Sequence, residues 1–342
     1  MRLSLSVFVA VMILVTVSCR SFAAEGTLLV VNRSDGSVSL VDLTERAEVA
    51  RIALGDITPH EVAVSPDGRW AATGEYGPEN NHGRHLVIID IPAAAIVSRL
   101  DLGPDTRPHS IAFLSDNRHL VVTLQDQDAL ALVDFLSGEV VRTFPTGGRE
   151  GHMVRLSIDE SRAYVTNRGG AGTLSVIFLD EQQEPVVIPG GSRAEGIAVS
   201  PDNLEVWVAN QGNGTITIVD TDSLQVKSTI AVAPTNRLEF LPDGRVVVPG
   251  GNSPDGSQRY VRFYNAGTLQ PERTLTFAGE NAGTGIRVLA ANGLLFVSDS
   301  ALNALFVVDP DSDTPPELLL SSPDNPDGLA WSPMRVGQTV SE

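Results

Sequence analysis

The stretch AEGIAVSPDNLEVWVANQGNGTITIVDTDSLQVKSTIAV, residues 194–232, decides the fold. Glu195–Ser200 alternates as a first strand, and Pro201-Asp202-Asn203 turns the chain. Glu205–Ala209 is a second strand, followed by the turn Asn210-Gln211-Gly212-Asn213-Gly214, rich in residues suited to positive φ. Thr215–Asp220 alternates as a third strand. After Asp222-Ser223, Val226–Val232 makes a fourth. Four short strands joined in sequence make one antiparallel sheet, and no 3.6-residue periodicity follows the N-terminal segment.

The unit recurs. Its opening phrase reads Pro59-His60-Glu61-Val62, Pro108-His109-Ser110-Ile111, Gly151-His152-Met153-Val154, Ala194-Glu195-Gly196-Ile197, Thr235-Asn236-Arg237-Leu238, Gly283-Thr284-Gly285-Ile286 and Pro326-Asp327-Gly328-Leu329. Set on the aliphatic residue, the copies are spaced by 49, 43, 43, 41, 48 and 43 residues. A period in the forties with four strands per copy predicts an all-β, seven-bladed β-propeller of four-stranded antiparallel blades. The ends complement each other. Thr27–Asn32, Gly36–Asp42 and Val49–Leu54 supply strands two to four, and Gly328–Ser332 supplies a first strand. The last blade is therefore closed by N- and C-terminal strands, which removes exposed sheet edges. The two long spacings are insertions after second strands, Gly74–Arg84 in the first blade and Pro249–Arg259 in the fifth. Both fall on the face that carries the opening phrases, where loops on a rigid scaffold tend to hold function.

The phrases Ala163-Tyr164-Val165-Thr166-Asn167, Val206-Trp207-Val208-Ala209-Asn210 and Ile197-Ala198-Val199-Ser200-Pro201-Asp202 resemble the YVTN-type β-propeller repeat family. The resemblance spans essentially the whole chain after the leader and implies a secreted or cell-surface propeller. More distantly it implies kinship with lactonase and gluconolactonase-like propellers, some of which use a metal at the channel mouth. Asp327-Gly328 matches the ligand-bearing phrase of that second group, whereas Asn236 is followed by Arg237 and departs from it.

Arg2, the apolar run Leu3 to Val17 and Ser21-Phe22-Ala23 read as a secretory signal over residues 1–23, leaving 25–342 as a single propeller domain. Val17-Ser18-Cys19 is a lipobox alternative, with membrane attachment only if Cys19 is lipidated. Cys19 is the sole cysteine, so cleavage after Ala23 leaves none, excluding disulfides and thiol chemistry. The net charge of −18 becomes −20 without residues 1–23, which disfavours nucleic acid as a partner. No Gly-x-Ser-x-Gly elbow, His-Glu-x-x-His pair, phosphate loop or haem-attachment motif is present.

In a ring of blades, position two of the phrase gathers His60, His109, His152, Glu195, Asn236, Thr284 and Asp327 around one axis. His60, His109, His152 and Glu195 fall on four consecutive blades as an arc of metal-ligand side chains, suited to zinc, copper or iron. Asn236 and Asp327 offer the oxygens calcium prefers. The first-blade insertion brings Glu75, Glu79, His82 and His85 to the same face. Arg33 and Arg168 occupy equivalent turns, and Arg193 and Arg237 flank the ring, placed to hold a carboxylate or phosphate or to pair with neighbouring acids. Glu239 and Arg287 read as a pair between blades. The same polar pattern has a plainer reading, since residues that turn a chain into a strand at a wet channel mouth are polar anyway.

The expectation is a periplasmic or secreted propeller that engages a small molecule, ion or protein partner at this face as a binding or scaffold module. A metal-dependent lactonase-like hydrolase is the alternative, and a metal-holding partner in a periplasmic redox system a further one. If the face holds a cofactor, the side chains point to a divalent metal (zinc, copper, iron or calcium), and no organic cofactor is indicated.

Overall fold

The computed structural model describes residues 24–55, 57–78, 81–180, 182–250, 259–277, 285–321 and 323–339. The leader with Cys19, Glu79, Thr284 and most of the fifth-blade insertion lie outside them. Twenty-eight strands form seven four-stranded antiparallel sheets, each in simple meander order. The one helical element among the described residues is a 3₁₀ turn at Gln125–Gln127. The expected seven-bladed propeller is therefore the fold.

Blade four is built of Ala194–Val199, Glu205–Asn210, Thr215–Asp220 and Val226–Ala231. Each strand lies within a residue or two of the sequence expectation. In the closing blade, Pro326–Ser332 pairs with Thr27–Asn32, which pairs with Ser37–Asp42 and then Ala47–Ala53. Residues beyond the last strand fasten this closure. Arg335 Nε bonds Asp42 at 2.8 Å, and the Gly337 N–H donates to Pro92 O of the first blade.

Apolar side chains form seven clusters, one for each contact between neighbouring blades. Leu29, Val31 and Leu40 of the closing blade, for example, pack on Val87 and Ile89 of the first. The axis itself is lined by polar groups.

Two recurrent devices hold the blades in register. The asparagine ending a second strand is buried and donates to two hydroxyls on the third. Asn32 reaches Ser37 (3.0 Å) and Ser39 (2.8 Å), Asn167 reaches Thr173 and Ser175, and Asn210 reaches Thr215 and Thr217. The hydroxyl before that terminal residue bridges blades. Thr123 Oγ1 donates to His152 O at 2.9 Å, Thr166 Oγ1 to Glu195 O at 2.8 Å and Ser298 Oγ to Asp327 O at 3.0 Å. Each acceptor belongs to position two of the next blade's opening phrase, so every such bond fixes a ring residue from its neighbour.

Candidate functional site: a histidine and arginine mouth on the propeller axis

The phrase enters its strand through a β-bulge. In blade four Ala194 pairs with Asn210 and Ile197 with Val208, so Glu195 and Gly196 together face Ala209. Blades two and three do the same at Pro108–Ile111 and Gly151–Val154. A bulge re-aims side chains out of the pleat, and here it turns position two toward the axis. Glycine at position three lets neighbouring inner strands close in. A Cβ on Gly196 would lie 2.8 Å from Asn236 O, and one on Gly328 2.7 Å from His60 O.

The result is one cavity of about 300 Å³ at the mouth. His60, His109, His152, Glu195, Asn236 and Asp327 all line it, as do Arg33, Arg168, Arg193, Arg237 and Arg287. His109 and His152 are 2% and 4% exposed, Glu195 5% and Asp327 1%. The His109 and His152 rings stack with centroids 3.9 Å apart and planes tilted by 32°, and the His60 ring lies 5.4 Å from His109.

Polar contacts orient the imidazoles. His60 Nδ1 faces Asp327 Oδ2 at 3.2 Å. His109 Nδ1 donates to His152 O at 3.2 Å. The carbonyl can only accept, so His109 carries its proton on Nδ1. His152 Nε2 lies 3.4 Å from Glu195 Oε2, and its Nδ1 is buried with no hydrogen-bond partner.

The two ring acids are shared by arginines. Asp327 meets Arg287 Nε at 2.5 Å and Arg33 Nε at 3.5 Å. Glu195 meets Arg168 and Arg193, each at 3.4 Å. A third pair, Arg237 with Glu61, joins blades five and one across the axis, one residue further along the opening phrase. Three carboxylates face five guanidiniums, leaving an anion-attracting mouth on a strongly acidic protein. Burial pulls His109 and His152 well below the usual histidine range, helped by surrounding positive groups, so both are neutral at pH 7. Burial lowers His60 less, because Asp327 opposes it.

This has a consequence for stability. The unfolded chain protonates these histidines below about pH 6.5, whereas the folded one does not, so acid favours unfolding in that range. The midpoint of urea unfolding is expected to fall between pH 7.5 and 5. A His109→Gln/His152→Gln variant should show a flatter profile over the same interval. Parallel profiles for the two proteins would contradict this assignment.

The residues singled out as metal ligands thus share one cavity. Among the described residues, however, no three His, Asp or Glu side chains group as a set able to hold a metal ion. The reason is local: His109 and His152 stack on each other, and Glu195 and Asp327 turn to arginines. His82 and His85 do not line the cavity. They pair with Asp126 and, at 2.6 Å, with Glu75, which also holds Arg99, and so tie down the first-blade insertion. That insertion also sets Tyr76 behind the imidazoles, outside the cavity lining. The Tyr76 ring packs on His60 at 4.3 Å and His109 at 5.0 Å, with Arg107 over it at 4.0 Å. Glu239 and Arg287 do not pair. Arg287 turns to Asp327 and Asn236, and Glu239 faces Arg155 at 3.9 Å. Tyr76 was missed because the path of a long loop is not written in a periodicity. The Glu61–Arg237 pair was missed because its members lie 176 residues apart.

Residues 12–99 match the family model described as the cytochrome D1 heme domain, a stretch that holds Arg33, His60 and Tyr76. The chain is similar to the dihydro-heme d1 dehydrogenase of Pseudomonas aeruginosa, with 30% identity over 124 residues, covering 35% of this chain and 24% of that protein. It therefore spans about a quarter of the length of that relative. Among solved structures, Kuenenia stuttgartiensis hydrazine synthase superposes with a TM-score of 0.63 at 17% identity, over 74% of this chain and 77% of the other. A functionally unknown protein from Desulfotomaculum acetoxidans superposes with a TM-score of 0.70 at 15% identity, over 90% and 99%. At such identities the structural likeness is one of fold. Kinship is supported at the level of the propeller and of a partial match to the heme D1 domain.

Proposed function

We propose that this chain is an extracytoplasmic propeller of a redox system that binds an anionic ligand of the heme class at its histidine and arginine mouth. The observation that carries the reading is the convergence of three neutral imidazoles with five arginines in one cavity. The partial match to a heme D1 domain and the similarity to a dihydro-heme d1 dehydrogenase support it.

The residues fit such a group. His60 is the candidate iron ligand, because its Nδ1 faces a carboxylate, the arrangement that metal-binding histidines adopt. His109 lines the same cavity beside it. Arg33, Arg168 and Arg193 offer charge-assisted bonds to ligand carboxylates from two sides of the ring. A volume of about 300 Å³ is at the small end for ligand sites, so the site takes a small acid whole or the acidic edge of a larger planar ligand lying across the mouth. Bound heme supplies iron for electron transfer or small-molecule binding. The chain's own part is to orient His60 through Asp327 and to neutralise ligand carboxylates.

Titration of the purified protein with hemin, followed by its absorption spectrum, tests this. Saturation near one equivalent is expected, with altered iron ligation in His60→Ala and at least tenfold weaker binding in Arg168→Ala/Arg193→Ala. Identical spectra and affinities for all three proteins would refute the assignment. The hydrolase reading needs a coordinated ion, and the turn of Glu195 and Asp327 toward arginines favours the anion-binding reading over it.

A further inference from the structure

A second cavity, of about 590 Å³, opens on the opposite face among blades four, five and six. It is separate from the mouth, sharing none of its lining residues. Its walls are apolar: Val199, Phe240, Leu241, Ala290, Ala291 and Leu294. Glu239, from the inner strand of blade five, also lines it. Its carboxylate has one ionic neighbour among the described residues, Arg155 at 3.9 Å, which is too long for a hydrogen bond. Burial pushes this carboxyl above its ordinary range, with only Arg155 opposing. The other charges at the cavity are Asp243, Asp311 and Arg245, and Arg245 is spent on the two aspartates, each at 2.6 Å. The cavity therefore combines apolar walls, a negative balance and one under-satisfied carboxyl, a combination that marks ligand sites. The Glu239 side chain is partly exposed, at 23%, and its one cationic neighbour stands beyond hydrogen-bond reach, so a second cation can approach it.

We infer that this cavity is a binding site for a small organic amine with an apolar body, its ammonium group on Glu239 and its body against Phe240, Leu241 and Leu294. The inference is independent of the heme reading, because the two sites share no residue.

Calorimetric titration of the whole chain with phenethylamine tests it, beside the uncharged isostere 2-phenylethanol. A third arm uses an acetylated and amidated Leu-Lys-Leu peptide, which carries the same chemistry as a protein side chain. Saturable one-to-one binding of phenethylamine is expected, with the alcohol at least tenfold weaker. Glu239→Gln should weaken amine binding at least tenfold and leave alcohol binding unchanged. Ala291→Trp, which fills the cavity and keeps Glu239, should abolish both. Hemin titration should be unaffected in either variant. Equal binding of amine and alcohol, no saturable binding, or full binding by folded Glu239→Gln would overturn the assignment. Binding of the peptide without the free amine would also overturn it, pointing to a partner's side chain as occupant.

Discussion

Asp299→Ala is expected to destabilise the protein by about 3–5 kcal/mol, the usual cost of removing one member of a buried ion pair. Asp299 ends the second strand of blade six, where other blades carry the asparagine that ties down their third strand. Here the carboxylate has two tasks. One oxygen accepts the N–H groups of Ala301 and Leu302 at 3.0 and 3.1 Å, shaping the turn, and the other binds Arg259 of blade five. Both residues are essentially inaccessible to water, at 0% and 1% exposure. Alanine takes the Asp299 carboxylate away from a guanidinium buried in the interior. The effect should appear as a lower urea midpoint with an unchanged slope. Adding Arg259→Met to the variant should recover part of the loss, because the buried charge is then gone. A loss under about 1 kcal/mol would mean that water reaches Arg259 and that the pair is not buried in solution.

Asp327→Ala should cost a comparable amount, about 3–5 kcal/mol, and should also disable the mouth. Asp327 is the hub of the ring, meeting Arg287, Arg33 and His60 through its two oxygens. Removing it leaves two arginines without their shared acid and frees His60 to rotate. Burial alone would raise this carboxyl, but Arg287, His60 and Arg237 hold it well below the usual range. A carboxylate depressed in the folded state contributes its full stabilisation above its unfolded value, about 3.9, and loses it as pH falls through its own lower value. The gap between wild type and Asp327→Asn should therefore be constant from pH 8 to about 5 and shrink only below about 4. A gap that closes near neutral pH would assign the effect to His60 instead.

The fold was legible because each blade repeats its own chemistry. The Thr-Asn of Thr166-Asn167 marks both the end of a second strand and the hydroxyl that grips the next blade. The ring was legible for the same reason: one position in a repeat is one radius in a propeller. What the residues do to one another there was not. Whether Arg287 pairs with Glu239 or with Asp327 depends on the bulge that lifts position two out of the pleat, and no residue type announces that offset. Three histidines in consecutive copies left both a metal arc and plain turn chemistry open. The stacking of His109 on His152, and the bond from His109 Nδ1 to a carbonyl of the next blade, were not legible from residue types. The balance of carboxylates and guanidiniums set the character of the mouth, and it emerges only when residues from opposite ends of the chain are counted together.

The apolar clusters lie between blades, and none sits on the axis. The molecule is thus a hoop rather than a ball, with the paired terminal strands as its buckle. Strain entering at one joint travels around the circumference and returns to its origin, so the joints share a single bore. A repacked joint on the far side would widen or narrow the aperture in which the imidazoles and arginines meet, without touching any of them.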